Sequence, residues 1–153
     1  MAGTLWLLRH GDAEPHGARP DFERRLTSRG ERQSRAAGAA FARLAVRFDG
    51  VFASPRVRAL ETARLACAEL GIEPVVHEPL SGGFDERDWA ALVAGQSPGA
   101  SLLLVGHEPD LSGLVAAITG ARVEMKKGGI AAIRDRQLVE LLRPGEIELV
   151  AGL

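Results

Sequence analysis

The sequence predicts an α/β fold: a three-layer α/β/α sandwich with a mainly parallel central sheet. Two observations carry that expectation. Short apolar runs at 5–8, 51–53, 74–77 and 102–105 alternate with longer segments whose apolar residues recur at helical spacing, as in strands joined by crossover helices. The runs at 5–8 and 102–105 lack polar alternation, which suits strands covered by helices on both faces. The chain has 153 residues and 46% apolar content, and no linker or repeat interrupts it, so one domain over 1–153 is expected.

The elements follow in order. Residues 5–8 form the first strand, and the polar 11–25 stretch, with Gly11, Pro15, Gly17 and Pro20, is a loop long enough to be functional. A helix starts at Thr27 or Ser28: Ser28 with Glu31 fits a capping box, and Thr27 is the other candidate cap. Ala37, Ala40, Phe41, Leu44 and Phe48 give its apolar face, and Asp49-Gly50 ends it. After the strand at 51–53, Ser54-Pro55 reads as the cap and first residue of a second helix. Val57, Leu60, Ala63, Cys67 and Leu70 form its stripe, with Cys67 a packed core thiol. A third strand at 74–77 precedes a helix over about 85–94, carrying Trp89, Leu92 and Val93. The strand at 102–105 runs into Gly106-His107 and a helix with Leu111, Leu114, Val115 and Ile118, stopped by Gly120. Residues 130–133 and 137–142 pair as a hairpin through Asp135-Arg136, and 147–150 adds an edge strand.

Charge and composition narrow the function classes. The formal net charge of -1 gives no drive toward nucleic acid or an anionic membrane. Seventeen arginines against two lysines, adjacent at Lys126-Lys127, fit a GC-rich coding bias. One cysteine excludes an internal disulfide and a cysteine-based zinc site. No run approaches the ~20 apolar residues of a membrane span, and no secretory signal pattern opens the sequence, so a cytoplasmic location is expected. Nothing in the sequence speaks to oligomeric state.

Three strand ends carry chemically capable groups: Arg9-His10, Ser54 through Arg58, and Gly106-His107. In parallel sheets, ligands bind outside the carboxyl ends of strands, so these groups are expected to converge. Arg9 and Arg58 can grip phosphate oxygens bidentately, and Arg58 lies in a first helical turn, where free N–H groups also favour an anion. A histidine between arginines has its imidazolium form disfavoured, which frees a ring nitrogen and suits His10 to be a nucleophile. There is no GxGxxG, Walker A or HExxH, and no cofactor is expected. A metal held by His10, His107 and a carboxylate is a minor alternative.

These residues match a known pattern. Leu8-Arg9-His10-Gly11 resembles the RHG signature of the histidine phosphatase superfamily, whose fold is phosphoglycerate-mutase-like. Ser54-Pro55, Arg58-Ala59 and Thr62-Ala63 resemble its second motif, and Val105-Gly106-His107 its third. Asp12-Ala13, Asp21, Arg25-Leu26-Thr27, Gly30, Gly106-His107-Glu108-Pro109 and Lys126-Lys127-Gly128 resemble the SixA-like branch of phosphohistidine phosphatases. The resemblance implies that His10 is phosphorylated in turnover, that Arg9, Arg58 and His107 complete the phosphate-binding core, and that neither metal nor cofactor takes part.

Many members of that family use a carboxylate to protonate the leaving oxygen. Glu78 and Asp85 are the candidates here, although a solvated surface position accounts for either. A weak acid fits an imidazole leaving group better than an alkoxide. The first reading is therefore a phosphohistidine phosphatase acting on a phosphorylated protein. Its rivals are a phosphatase of a small phosphorylated metabolite and a non-catalytic phospho-ligand-binding module. Asp12, Glu14, Asp21 and Arg25 either rim the pocket or form turn-stabilising ion pairs. Lys126 and Lys127 either attract an acidic partner or lie in a solvated turn.

Overall fold

The sheet is built around β1, Leu5–Arg9, in the computed structural model, which describes residues 3–153. β1 lies parallel to β4, Leu102–Gly106, in the register Leu7 to Leu104, and antiparallel to β5, Ile130–Arg134, on its other side. β2, Gly50–Ala53, and β3, Val75–Val76, continue the parallel part, and β6, Gln137–Leu142, closes the far edge. The order β3-β2-β4-β1-β5-β6 thus joins four parallel strands to an antiparallel hairpin.

Both faces are covered, which explains the unbroken apolar runs. Trp6 and Leu8 point to one face with Leu103, Val105, Ile130 and Ala132. Leu5 and Leu7 point to the other with Leu104, Ala131 and Ile133. The first face packs against α1 (Ser28–Arg43), α2 (Val57–Ala68) and α5 (Pro144–Ala151). The second packs against α3 (Glu86–Ala94) and α4 (Asp110–Thr119). Leu7, Leu8, Leu103 and Leu104 are fully buried, each contributing about 1.5–3 kcal/mol of transfer free energy. The α/β/α layering is as the sequence predicts.

Four local expectations need correction. Residues 147–150 lie in helix α5, not in an edge strand. Pro144 starts the helix, Glu146 accepts the Arg143 backbone N–H at 2.8 Å, and Ile147 and Ala151, four apart, bury one stripe against α1. Helix α1 stops at Arg43 rather than near Phe48: Ala45 takes a left-handed φ of 55° and the Val46 N–H returns to the Phe41 carbonyl at 3.0 Å. Phe48 still packs edge-on against Phe41, with ring centroids 5.0 Å apart. Helix α2 starts at Val57, two residues later than Ser54-Pro55 suggests, which leaves the Ser54 side chain free for another task. Its buried face is Ala59, Thr62, Ala63, Ala66 and Cys67, with Val57, Leu60 and Leu70 only half-buried. The reason is close approach: a Cβ on Gly38 of α1 would lie 2.3 Å from the Ala66 carbonyl oxygen, so small residues occupy the crossing. Thr27, of the two candidate caps, is the one used, accepting the Gly30 N–H at 3.1 Å.

Candidate active site

The carboxyl ends of β1, β2 and β4 open into a pocket of about 240 Å3 lined by Arg9, His10, Arg24, Arg58, His107 and Lys127, with Glu14, His16 and Glu108 among its other walls. A roomier cleft of about 510 Å3 lies at the opposite end of the sheet, beside Trp89 and Ile118, and contains no histidine.

His10 follows the last residue of β1 and is buried. Its Nδ1 lies 2.7 Å from the Gly11 carbonyl oxygen, which can only accept, so Nδ1 carries the proton and the Nε2 lone pair is free. The backbone around it is tightly held. The Gly11 N–H donates to Thr62 Oγ1 at 3.1 Å, and the Gly128 N–H reaches the Arg9 and His10 carbonyls at 3.1 and 3.0 Å. Gly128 has a φ of 76°, and Gly30 approaches so closely that its Cβ would sit 1.9 Å from the Asp12 carbonyl oxygen. Both positions therefore require glycine.

His107 follows β4, with its ring centroid 5.2 Å from that of His10. Ser54, freed from capping, places Oγ 2.8 Å from His107 Nε2 and accepts the Arg56 N–H at 3.2 Å. The serine hydroxyl is able to donate to Nε2, and in that tautomer His107 keeps a proton on Nδ1, which is buried and without a protein partner, as a donor for an anion. Arg58 holds its Nη1 on the Asp21 carbonyl at 2.8 Å, and Arg9 its Nη1 on the Met125 carbonyl at 2.9 Å. Both keep a buried Nε without a partner. Three buried polar donor positions left open around one free imidazole nitrogen describe a site built for an oxyanion.

Electrostatics agree. Burial, followed by the charges of Arg58, Arg9 and Lys127, pushes His10 down to about 4 against the opposing Gly11 hydrogen bond. His107 is pushed down to about 3 by burial and then by His10, Arg58 and Arg56. Both imidazoles are neutral at physiological pH. Burial lowers Arg58 while Asp21 opposes the shift.

The structure thus brings His10, Arg9, Arg58 and His107 together. It does not bring in Glu78 or Asp85, and neither lines the pocket. Glu78 is exposed in the single turn Glu78–Ser81. Asp85 is the N-cap of α3, and its carboxylate accepts the Arg87 and Asp88 N–H groups at 2.9 and 3.1 Å. The Asp88 and Arg87 N–H groups hold Asp85 below the usual carboxylate range, so it is a poor proton donor. The carboxylates that do line the pocket accept hydrogen bonds, Glu14 through one oxygen and Glu108 through both. Glu14 Oε1 accepts the Arg25 N–H at 2.8 Å and Arg19 Nε at 2.9 Å, and the Arg25 contact leads in lowering its pKa. Glu108 accepts the Ser112 N–H at 2.8 Å and the Ser112 hydroxyl.

Among the loop residues, Lys127 lines the pocket and faces Asp12 Oδ1 at 3.5 Å, while Lys126 pairs with Glu124 at 3.0 Å. Two contributions are invisible from local pattern. Arg24 is a buried wall of the pocket, yet nothing along the chain separates it from its neighbour Arg25. Ser54 bonds to His107 across 53 positions of sequence, a pairing that convergence of the strand ends allows but spacing does not specify.

A model of the histidine phosphatase superfamily (branch 1) matches residues 5–97. An uncharacterised protein of Picosynechococcus is 38% identical over 145 residues, spanning 86% of this chain and 84% of its own length. A 2,3-bisphosphoglycerate-dependent phosphoglycerate mutase of Sinorhizobium fredii is 35% identical over 102 residues, 60% of this chain but 44% of the mutase, so the match spans less than half of that enzyme. Among solved structures, the protein histidine phosphatase SixA complexed with tungstate superposes with a TM-score of 0.82 at 25% identity, covering 93% of this chain and 97% of that one. The phosphoserine phosphatase of Entamoeba histolytica, in complex with 3-phosphoglyceric acid, shares the fold, with a TM-score of 0.69 at 16% identity and coverage of 92% and 96%. Among the described residues, no helix is long and apolar enough to cross a membrane.

Proposed function

This chain belongs to the histidine phosphatase superfamily, and we propose that it is a phosphohistidine phosphatase, hydrolysing phosphohistidine on a protein through a phosphorylated His10. His10 Nε2 attacks phosphorus as the P–N bond to the substrate imidazole breaks, and the departing nitrogen keeps the bonding pair and takes a proton from solvent. Water then attacks phospho-His10, the pair returns to Nε2, and inorganic phosphate leaves with one hydrogen of the attacking water while the other passes to solvent as a proton. Arg9, Arg58 and His107 Nδ1–H are placed to neutralise the equatorial oxygens as charge spreads over them, which is the main protein contribution to such transfers.

One observation carries the choice of substrate. Glu14 and Glu108 line the pocket but are engaged as hydrogen-bond acceptors, and Asp85 is spent on a helix cap. A site without a poised carboxylic acid suits a leaving nitrogen, which departs without strong acid help, better than an alkoxide. The SixA likeness supports the same choice. Hydrolysis of a small phosphorylated metabolite by the same core is the second reading, supported by the likeness to the mutases.

The test compares wild type and His10→Ala on a phosphohistidine protein and on a panel of alkyl phosphates, with acid quench to trap the phosphorylated enzyme. The expected result is higher kcat/KM on the phosphohistidine protein, a label on His10, and no turnover by the variant. A strong preference for one alkyl phosphate reverses the substrate assignment. Undiminished activity in His10→Ala removes the nucleophile.

A further inference from the structure

Asp21 stands outside the phosphate pocket but touches three of the arginines in and around it. Its Oδ1 accepts Arg24 Nε at 3.0 Å and Nη2 at 2.9 Å. Its Oδ2 accepts Arg56 Nη1 and faces Arg58 Nη2 at 3.4 Å, and exposed His16 lies 3.8 Å from Oδ1. Each arginine also has a backbone anchor: Arg58 on the Asp21 carbonyl at 2.8 Å, Arg24 on that of Glu14 at 2.7 Å, Arg56 on that of Ser81 at 2.7 Å. Carbonyls therefore fix where the guanidinium groups sit, and what the carboxylate adds is charge. Its own ionisation is secure: burial raises its pKa, but Arg24, Arg58 and Arg56 together hold it below the usual carboxylate range.

We propose that Asp21, acting through the arginines it pairs with, sets how tightly the pocket holds phosphate, its single negative charge tempering the pull of Arg24 and Arg58 on the bound anion. Arg24 and Arg58 line the pocket, whereas Arg56 does not. Arg9 and Lys127 add further positive charge to the walls. With no counter-charge such a pocket binds its anionic product strongly and releases it slowly. Asp21 is 44% exposed, so solvent screens part of its effect. One charge acting on a phosphate dianion from about 8 Å through the near-water dielectric of so exposed a carboxylate is expected to shift affinity about three- to tenfold.

The inference rests on the pocket being a phosphate site, not on the identity of the substrate, and inorganic phosphate is the probe. Its Kd by calorimetry and its Ki against turnover are measured for wild type, Asp21→Asn, Asp21→Glu and Arg56→Gln, each checked by thermal melting. Asp21→Asn keeps the carbonyl anchors and an acceptor but loses the charge. It is expected to bind phosphate about three- to tenfold tighter, with a steeper loss of affinity as salt rises. Asp21→Glu is expected to remain near wild type. Arg56→Gln leaves Asp21 to act on Arg24 and Arg58 alone, and is expected to weaken phosphate binding about two- to fivefold. A purely structural role for Asp21 would weaken phosphate binding and turnover together in both Asp21→Asn and Arg56→Gln. Unchanged or weaker binding by folded Asp21→Asn overturns the inference; if Asp21→Asn does not fold, Arg56→Gln decides, since weaker phosphate binding with turnover retained supports the inference, and binding equal to wild type or lost together with turnover overturns it. Wild type that binds no phosphate overturns the reading of the pocket, and the role of Asp21 with it.

Discussion

Lowering the pH should leave His10 neutral far longer than an exposed histidine. Its pKa moves from 6.5 to about 4, chiefly through burial and then the charges of Arg58, Arg9 and Lys127. At 1.36 kcal/mol per pH unit, this displacement is worth about 3 kcal/mol. The folded pKa lies below the unfolded one, so the unfolded chain takes up the proton first as pH falls. His10 therefore costs no stability above about pH 6.5, progressively destabilises the fold between about 6.5 and 4, and adds nothing further below that. His107, pushed down to about 3, acts in the same direction. At pH 5, His10 should still be about nine-tenths neutral and able to attack. The assay is an NMR titration of the imidazole signals, assigned with His10→Gln and His107→Gln, alongside urea denaturation at pH 7.5 and 4.5. The unfolding free energy should fall by about 3 kcal/mol or more over that interval. Arg58→Met should raise the His10 midpoint. A His10 midpoint near 6.5, or stability that does not fall on acidification, would refute the reasoning.

Three further outcomes are expected. Ser54→Ala removes the hydroxyl that faces His107 Nε2 at 2.8 Å, and kcat should drop about tenfold or more while stability falls by about 1–2 kcal/mol, read by steady-state kinetics and denaturation. Gly38→Ala should destabilise by about 2 kcal/mol despite alanine's better helix propensity, because its Cβ would lie 2.3 Å from the Ala66 carbonyl oxygen, and a melting curve checks it. Arg136→Gly should stabilise by about 0.5–1 kcal/mol, since Arg136 holds a φ of 59° in the two-residue β5–β6 turn, and a rise in Tm would confirm it.

Much of the fold was legible wherever a property is local and periodic. The apolar runs of β1 and β4, the helix over about 85–94 and the two-residue turn at Asp135-Arg136 all appear where patterning places them. Legibility failed where two distant segments decide the outcome. On α2 the stripe read along the chain is right at Ala63 and Cys67, but the buried face turns toward Ala59, Thr62 and Ala66 and leaves Val57, Leu60 and Leu70 half-buried, because α1 crosses there at backbone contact. Residues 147–150 are apolar enough for a strand, and only the α1 surface waiting for Ile147 and Ala151 makes a helix the better burial.

For the site, the sequence by itself determined which groups meet: an arginine and histidine at the end of β1, Arg58 in a first helical turn, His107 at the end of β4, and a parallel sheet that makes strand ends converge. Tertiary structure alone decided which nitrogen of His10 is free, through the Gly11 carbonyl, and left Nδ1 of His107 without a partner by setting Ser54 against its Nε2. It also decided which carboxylates are occupied, removing Glu78 and Asp85 from the pocket and engaging Glu14 and Glu108 as acceptors. It recruited Arg24 into the pocket wall from a loop where it looks interchangeable with Arg25 along the chain. The physical reason is range. Strand and helix formation follow from neighbours a few residues apart, whereas protonation state, hydrogen-bond partner and net field at a point depend on every group that folding places within a few ångströms.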